Sequence, residues 1–437
     1  MRIDSIQIDN FRGIERLGLD FDPRFTLLVG DNGSGKTSIL SAVSVALGIW
    51  HLSDILGDVQ WRNIGEHEVR EVLGVGENGE KQFLPAGQVQ ITARGVIGES
   101  DRIEWRRGKR KRGAYTINED SEQAVDAIEA VLEARENKTQ PLPLLGYYGA
   151  GRAWQPSNER ALAELEGDLK SRQADGYYDC LNERIRIKDV LKWFVLQAAA
   201  RDESGKFKPS FEAVRLALKQ GIPGVDDIYW DSAKAEVVVS IHGLAQPFSN
   251  LSDGQRSMAA TIADMAIRAV TLNPHLLGDG NGHSHPEEVL KQTPGVVLID
   301  EVDVHLHPGW QRSVVKDLME TFPRVQFICT SHSAQVIGEV PARQVWILGE
   351  SIPRHPSVSF ADSNWVLEHF MGKEADSRNA EVKSLLEQAE EDMSEGDLED
   401  AKASLETARE TMGGEDGELT RLESSLATLN ALARADD

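Results

Sequence analysis

The sequence predicts an α/β fold with a mixed sheet that carries a phosphate-binding loop, an antiparallel β subdomain, a helical insertion and a small C-terminal α-helical appendage. Two apolar runs, 295–299 and 325–329, have the length and composition of fully buried strands. Runs of this kind are typical of a parallel sheet covered by helices. A third apolar strand, 25–29, leads through a glycine-rich loop into a helix predicted over 38–47.

The glycine-rich loop from Gly30 to Thr37 fits the pattern G-x-x-x-x-G-K-[ST] and has the preceding strand and following helix that this motif requires. Its glycines let successive backbone N–H groups point at phosphates, and the helix N-terminus adds its positive dipole end. We expect Lys36 to reach the β- and γ-phosphates of a nucleotide and the Thr37 hydroxyl to bind Mg²⁺. The predicted nucleotide-binding residues of this loop are Asn32, Gly33, Ser34, Gly35, Lys36, Thr37 and Ser38.

Strands and a helix follow in the N-terminal half of the chain. Residues 88–93 and 101–105 alternate apolar and polar side chains, which predicts two strands of an antiparallel sheet. A helix is predicted from Ser121 to Arg135, and residues 141–148 predict a buried strand that enters a loop.

The middle of the chain predicts a compact helical insertion followed by strands. Residues 157–222 have helical spacing without a long heptad run, so we expect no extended coiled coil. Strands resume over 228–241, and residues 278–286 predict a polar loop. The predicted domain organisation is an N-terminal half-domain, the insertion with its strands, a C-terminal half-domain and the appendage, over 1–156, 157–245, 246–372 and 373–437.

One buried strand ends in two carboxylates, Asp300 and Glu301, downstream of the phosphate loop. At the tip of such a strand Asp300 would hold Mg²⁺, directly or through water, and Glu301 would polarise the water that attacks the γ-phosphate. A plain pair of strand-end charges is the alternative. The position after a phosphate loop favours the catalytic interpretation.

A second predicted anion-binding segment, 251–256 (Leu-Ser-Asp-Gly-Gln-Arg), precedes a long helix over 257–270. The Ser252 hydroxyl and the Gly254 amide at a helix start suit a phosphate, although a plain helix cap would use the same residues. One helix cannot reach a phosphate that the other loop already surrounds unless a second subunit brings it. The segment therefore predicts that two copies of the chain share a nucleotide, which Ser252, Gly254 and Gln255 would contact.

The order of these motifs along the chain, followed by Thr330-Ser331-His332-Ser333, resembles that of ABC-class ATPases. The resemblance implies an ABC-type ATPase head that binds ATP and Mg²⁺. It also implies that segment 251–256 is the signature motif, which closes on the nucleotide of the other protomer. His332 would be the switch histidine that senses the γ-phosphate.

Two further segments resemble parts of the same class. Phe11-Arg12-Gly13 is similar to an element of the chromosome-maintenance and recombination branch, in which the arginine approaches the nucleotide, and this implies a nucleotide-binding role for Arg12. The glutamine loop of the class corresponds to residues 147–155, where either Arg152 or Gln155 could take that role.

A narrower resemblance concerns defence ATPases. Residues 303–311 (Asp-Val-His-Leu-His-Pro-Gly-Trp-Gln) depart from transporter ATPases and resemble overcoming-lysogenization-defect-type enzymes. Longer stretches look like the ATPase subunit of Septu anti-phage systems and its retron-associated relatives. These stretches are 147–154, 175–181, 230–232, 248–273, 298–311 and 362–368. Because that family acts beside a separately encoded HNH nuclease, the resemblance implies nucleotide-gated control of DNA cleavage by a partner.

Four histidines are candidate metal ligands or loop residues. A zinc site at His305 and His307 is disfavoured by their i, i+2 spacing and by the lack of cysteine partners. His283 and His285 fall in the polar loop and are expected to be solvent residues.

The chain has 437 residues, a formal net charge of −24 and a pI near 4.9. Such a protein repels nucleic acid unless its positive charge is gathered in one place. Its two cysteines, Cys180 and Cys329, do not form a disulfide framework, which indicates a reducing compartment. The first residues alternate like a strand, and no apolar run reaches membrane-spanning length. We therefore expect a cytoplasmic protein without a membrane contact.

Positive charge is gathered around a predicted hairpin. Its basic residues are Arg102, Arg106, Arg107, Lys109, Arg110, Lys111 and Arg112. Contact with DNA or with an acidic partner and a solvated hairpin tip are equally compatible with this cluster.

The C-terminal appendage carries three apolar stripes at helical spacing, separated by Gly396 and by Gly413-Gly414. We expect two or three short packed helices. A solvated appendage and an interaction module both remain open.

Taken together, the motifs and the resemblance to ABC-class ATPases imply an ATPase that binds and hydrolyses ATP at a head-to-head interface of a homodimer or higher oligomer. The resemblance to the Septu family implies that it regulates a separate HNH-type nuclease subunit in anti-phage defence. We expect that it is not itself a nuclease, since no Toprim or HNH pattern is found. The alternative is a stand-alone DNA repair or recombination ATPase that loads on DNA. A transporter ATPase is disfavoured by the compact insertion and by the Phe11-Arg12 element.

Overall fold

The computed structural model of the chain describes most of its length. The described residues are 1–56, 62–75, 80–111, 113–136, 140–151, 176–183, 185, 187–200, 207–231, 236–278, 285–349, 353–357, 359, 366, 380–412 and 416–433. Contacts divide the chain into two units, Met1–Ser363 and Asn364–Asp437. The sequence places the end of the main domain at residue 372 instead, and the predicted domain boundaries stay predictions.

The described part of the first unit contains both strands and helices, and the described elements of the second unit are helices. The described strands are β1 Arg2–Phe11, β2 Ile14–Asp20, β3 Phe25–Gly30, β4 Glu71–Val75, β5 Lys81–Pro85, β6 Val89–Val96, β7 Ile103–Lys109, β8 Leu144–Tyr148, β9 Val225–Asp231, β10 Glu236–Ile241, β11 Leu244–Pro247, β12 Gly295–Ile299, β13 Val325–Thr330 and β14 Val345–Leu348. The described α-helices are α1 Lys36–Leu47, α2 Glu122–Glu136, α3 Ile187–Ala199, α4 Pro209–Gly221, α5 Asp253–Leu272, α6 Pro286–Gln292, α7 Pro308–Thr321, α8 Ala334–Gly338, α9 Ala380–Glu395, α10 Leu398–Met412 and α11 Gly417–Ala433.

A parallel sheet of five described strands, in the order β14-β3-β13-β12-β8, lies at the centre of the first unit. Every residue of β3, β8, β12 and β13 is buried, which confirms the strands predicted from apolar runs. Because parallel strands end at one edge of a sheet, the phosphate loop after β3, Asp300 after β12 and Ser331 after β13 come together there.

An antiparallel sheet, with the order β2-β1-β6-β7 among the described strands, is the second layer. Strands β6 and β7 pair from Val89↔Lys109 to Gly95↔Ile103, as the alternating segments predict. Helix α1 contacts strands of both sheets, and all its residues from Ile39 to Leu47 are buried. The core of this unit therefore surrounds the helix that begins at the phosphate loop.

Some elements differ from the prediction. Helix α1 begins at Lys36, two residues earlier than predicted, because the αL conformation of Gly35 serves as its N-cap. Strand β2 follows β1 through a turn of only two residues, Arg12 and Gly13. Strands β4 and β5 form a two-stranded hairpin in a region for which the sequence shows no clear periodicity. On one face of this hairpin, Leu73, Val75 and Phe83 are each more than 60% exposed.

The helical insertion is described in part. Helices α3 and α4 belong to it, and the predicted helix between residues 157 and 175 lies outside the described residues. The strands predicted over 228–241 form, with β11, an antiparallel sheet in the order β11-β10-β9. Most of the predicted polar loop, 279–284, also lies outside the described part of the chain.

The second unit has its own hydrophobic core. Helices α9, α10 and α11 bury Val382, Leu386, Ala389, Ala401, Leu405, Ala408, Leu419, Leu422 and Leu426 against one another. This confirms the three apolar stripes as packed helices. In neither unit is a described helix both long enough and apolar enough to cross a membrane.

Candidate functional site

The phosphate loop forms a cradle that only glycine permits at its ends. Gly30, Gly33 and Gly35 have φ angles of 153°, 85° and 94°. A Cβ atom on Gly30 would lie 2.3 Å from the Leu348 carbonyl oxygen, so strand β14 leaves no room for a side chain. Backbone conformations of this kind let N–H groups of the loop point at a phosphate at the start of α1.

Two side chains inside this cradle suit a phosphate. The Lys36 amine donates hydrogen bonds to the carbonyl oxygens of Gly30 at 2.7 Å and Asp31 at 2.9 Å. Burial lowers the pKa of Lys36, while Asp300, Glu301 and Asp31 oppose that shift. The buried Ser34 hydroxyl has no hydrogen-bond partner among the described residues. A buried cation beside an unsatisfied hydroxyl fits an anionic ligand.

Thr37 and Asp300 meet across the sheet edge. The Thr37 hydroxyl donates a hydrogen bond of 2.8 Å to Oδ2 of Asp300, and the Thr330 hydroxyl donates one of 2.6 Å to Oδ1. The backbone N–H of Asp300 donates to the Tyr148 carbonyl at 2.8 Å. Strands β8, β12 and β13 therefore fix one carboxylate beside one hydroxyl, the kind of oxygen ligands that Mg²⁺ takes in nucleotide sites.

Glu301 follows directly and is half-buried. Its φ angle is 48°, a left-handed conformation that is uncommon for a residue with a side chain. The Thr330 hydroxyl accepts a 2.7 Å hydrogen bond from the Glu301 backbone N–H, which fixes this conformation. Strained backbone of this kind is found at functional sites, where the surroundings hold it.

His332 lies two residues beyond the end of the neighbouring strand β13 and is half-buried. The residues on either side of it are held by hydrogen bonds. Ser331 accepts from the Ser333 backbone N–H at 2.9 Å, and the Ser333 hydroxyl donates to Gln311 at 2.7 Å. His332 therefore lies at the same sheet edge as Asp300, and its sensing role stays a prediction.

The predicted signature segment starts helix α5 with a capping box. Ser252 accepts from the Gln255 backbone N–H at 3.3 Å, and Gln255 accepts from the Ser252 backbone N–H at 3.0 Å. A Cβ atom on Gly254 would lie 2.1 Å from the His305 carbonyl oxygen, so glycine is required there. The plain helix cap, which is the alternative interpretation of this segment, is thus present. Ser252 is nevertheless exposed, and phosphate binding by this segment stays a prediction.

Arg12 occupies the turn between β1 and β2 with a φ angle of 50°. Its backbone N–H donates to the Glu68 carbonyl at 2.8 Å, and its Nη2 donates to Oε1 of Glu68 at 2.9 Å. Its Nε atom is buried and has no hydrogen-bond partner in the described part of the chain.

Glu68 is a site residue that the sequence analysis missed. Its side chain is 1% exposed and accepts hydrogen bonds from Arg62, Ser41 and the Gly65 backbone N–H as well as from Arg12. Burial alone would raise the pKa of Glu68, but the hydrogen bonds and charge of Arg62, with Gly65 and Ser41, lower it to about 2. Glu68 is therefore a fixed negative charge.

Two cavities open at this cluster. One of about 500 Å³ is lined by residues that include Arg12, Glu68 and Tyr147. The other, of about 640 Å³, is lined by residues that include Arg12, Thr37 and Phe83. A volume of several hundred Å³ is that of a small-molecule or cofactor site. The second cavity thus extends from the predicted magnesium ligand past Arg12 to the β4–β5 hairpin.

The basic cluster is smaller at the surface than the sequence suggests. Arg107 is 1% exposed and Lys109 is 3% exposed. Arg107 donates to the carbonyl oxygens of Val45 and Arg62 at 2.7 and 2.6 Å, and Lys109 donates to Glu66 at 2.6 Å. The expectation that these two charges face solvent is wrong, because Arg107 and Lys109 occupy the same inward face of β7 as Ile103 and Trp105.

Some of the other basic residues of the cluster pair with carboxylates, and others are exposed. Arg102 pairs with Asp4 at 2.7 Å, and Arg106 pairs with Glu104 at 2.8 Å. Arg110 and Lys111 are exposed, and Arg112 lies outside the described residues.

Several sequence candidates play no part in the described site. Arg152 and Gln155, the alternatives for the glutamine loop, lie outside the described residues, as does His283. His307 caps helix α7 by accepting from the Gly309 backbone N–H at 3.2 Å, and His305 is exposed. His285 is the residue before helix α6.

Comparison with known proteins gives one family match. The model described as RecF/RecN/SMC N terminal domain matches residues 2–349. The chain is 26% identical over 429 residues to the retron Ec83 probable ATPase of Escherichia coli, covering 84% of this chain and 76% of that protein. It is 22% identical over 380 residues to the Septu protein PtuA of Bacillus thuringiensis, covering 84% and 83%. A solved SmcHead bound to the C-winged helix domain of ScpA is 15% identical, with a TM-score of 0.48, and the match covers 82% of this chain and 98% of that chain.

Proposed function

Because this chain belongs to the RecF/RecN/SMC N-terminal domain family, we propose that it is an ABC-type ATPase that regulates a separate HNH-type nuclease in anti-phage defence. Relatives named a retron probable ATPase and a Septu protein PtuA align with 84% of the chain each, which supports an ATPase of a defence system. The nuclease partner is inferred from the resemblance to the Septu family. A cytoplasmic location also belongs to this proposal.

The hydrogen bond between Thr37 and Asp300 carries the ATPase assignment. At 2.8 Å it joins the phosphate loop to the carboxylate strand across 263 positions of sequence. In this arrangement the loop backbone and Lys36 would hold the phosphates of ATP, and Thr37 and Asp300 would hold Mg²⁺. Bound Mg²⁺ would neutralise charge on the β- and γ-phosphates. Glu301 accepts the proton of the attacking water, and His332 contacts the γ-phosphate.

We infer a nucleotide shared by two copies of the chain from the signature segment. Ser252 is exposed at the start of helix α5, while Gly254 is buried against the His305 backbone. The exposed start of helix α5 can therefore approach the phosphates of a nucleotide bound to a second copy. The backbone after Glu301, at His305, packs against this helix start. The expected assembly is a homodimer, or a higher oligomer built from such pairs.

Glu301→Gln tests the catalytic assignment. The amide cannot accept the proton, so hydrolysis should fall at least about a hundredfold while ATP still binds. Phosphate release and the Kd for ATP are the measurements. Glu320→Gln, which changes an exposed carboxylate at the end of helix α7, is the matched control. Unchanged hydrolysis by Glu301→Gln would remove Glu301 from its role.

Co-purification tests the nuclease assignment. The chain, expressed with its neighbouring genes, should retain a nuclease subunit whose DNA cleavage differs with and without ATP. A preparation in which this chain alone binds gapped DNA tightly, with a steep salt dependence, would favour the repair or recombination alternative. The burial of Arg107 and Lys109 reduces the basic surface on which that alternative depends.

A further inference from the structure

Glu68 and Arg12 meet in the wall of the first cavity, and Arg12 also lines the second. Oε1 of Glu68 accepts from Arg12 at 2.9 Å, from Arg62 at 2.7 Å and from the Ser41 hydroxyl at 2.7 Å. One carboxylate therefore faces two guanidinium groups, and the three side chains together carry one positive charge. The Arg12 side chain is 21% exposed, so part of this charge reaches the cavity.

The backbone conformation of Arg12 is one that its own conformational preference disfavours. A φ angle of 50° disfavours a side chain, and the turn around it contains only one glycine, Gly13. Two hydrogen bonds to Glu68 hold Arg12 in this conformation. The Glu68 carbonyl accepts one from the Arg12 backbone N–H at 2.8 Å, and the Glu68 carboxylate accepts one from the Arg12 guanidinium. The same residue thus fixes both the backbone and the side chain of Arg12.

Glu68 is itself tied to the phosphate loop. Ser41, which donates to its carboxylate, lies one turn after Thr37 in helix α1. Arg62, the second partner, has its carbonyl oxygen held by the buried Arg107 at 2.6 Å. The cluster is therefore rigid with respect to the loop that receives the phosphates, which is the condition for a preorganised site.

We propose that Glu68 is a positioning residue that presents Arg12 to the phosphates of ATP. Arg12 binds the nucleotide, and Glu68 acts only through Arg12. This inference rests on the proposed function, since it requires that the cavity beside Thr37 receives ATP.

The test is a double-mutant cycle on ATP hydrolysis with Arg12→Ala, Glu68→Gln and the combined variant. Each single change should raise KM for ATP about tenfold and leave kcat within about twofold, because it weakens binding equally in the ground and transition states. The combined variant should have the KM of Arg12→Ala alone, because both changes remove one interaction. Glu66→Gln is the matched control, since Glu66 lies two residues away and pairs with Lys109 instead.

An unchanged KM in Glu68→Gln, or a combined KM that is the product of the single effects, would overturn the proposal. If Glu68→Gln does not fold by circular dichroism, Ser41→Ala replaces it, since this change removes one donor from the oxygen that binds Arg12. It should raise KM about threefold in the wild type and not at all in Arg12→Ala, and equal effects in both backgrounds would again overturn the proposal. A wild-type protein that hydrolyses no ATP would instead contradict the proposed function.

Discussion

At the scale of the residue, Glu68 couples the stability of the first unit to pH. Its carboxyl has a pKa of about 2 in the folded protein against a usual value of 4.5. A lowered pKa stabilises the fold fully above the usual value, and this contribution is lost as the pH falls through the folded value. The stability that the Glu68 charge contributes is therefore lost between pH 4.5 and about pH 2.

Glu68→Gln should lower the free energy of unfolding by about 3 kcal/mol at neutral pH, as expected for a pKa difference of this size. The difference from wild type should shrink as the pH is lowered below 4.5, because the Glu68 carboxyl then takes up a proton in the unfolded chain while it stays ionised in the folded protein down to about pH 2. Urea unfolding at several pH values measures it. A difference that stays constant between neutral and acidic pH would show that the charge of Glu68 contributes nothing.

Thr37 should set the magnesium requirement. Thr37→Ala removes the hydroxyl that donates to Asp300, so the Mg²⁺ concentration for half-maximal hydrolysis should rise about tenfold. Thr37→Ser retains the hydroxyl and should behave like wild type. Titration of Mg²⁺ at saturating ATP distinguishes the two variants, and equal magnesium dependence in both would exclude Thr37 as a ligand.

At the scale of the element, helix α5 carries the surface on which the proposed pairing of two copies depends. Ser252→Arg places a long cation at its exposed start, which should prevent approach to the opposite phosphate loop. In the Glu301→Gln background, where ATP is not consumed, the variant should remain monomeric with ATP by light scattering while it still binds the nucleotide. An ATP-dependent dimer of normal mass would contradict the role of this helix.

Strand β7 shows why a prediction made from its positive charges alone was incomplete. Arg107 and Lys109 belong to a basic run, but they also continue the inward positions of Ile103 and Trp105. The period of two was visible in the sequence and would have placed both side chains inside. What it could not show is that the carbonyl oxygens of Val45, Ile64 and Arg62 are available there to accept their hydrogen bonds.

At the scale of the whole molecule, the three helices of the second unit should fold without the first. Their nine core side chains come only from residues 382–426. A fragment of residues 377–437 should therefore be helical by circular dichroism and unfold cooperatively on heating. A fragment without helical signal would show that the unit depends on the rest of the chain.

The sequence predicted the architecture because its signals are local. An apolar run such as 295–299, or a glycine pattern such as 30–37, determines strand, loop and helix within a few residues. Glu68 gave no such signal, since it is a single acidic residue whose partners Arg12 and Ser41 lie 56 and 27 positions away. Contacts at this separation depend on the packing of both sheets around α1, which no local pattern encodes.

The β4–β5 hairpin has a practical consequence for work with this protein. Leu73, Val75 and Phe83 each expose more than 60% of their surface in the folded state. Dyes that fluoresce on apolar surfaces bind such patches. The native protein should therefore already be bright with these dyes, and a melting curve recorded with them would start from a raised baseline. Calorimetry, which does not depend on a reporter, is the better way to follow its thermal transition.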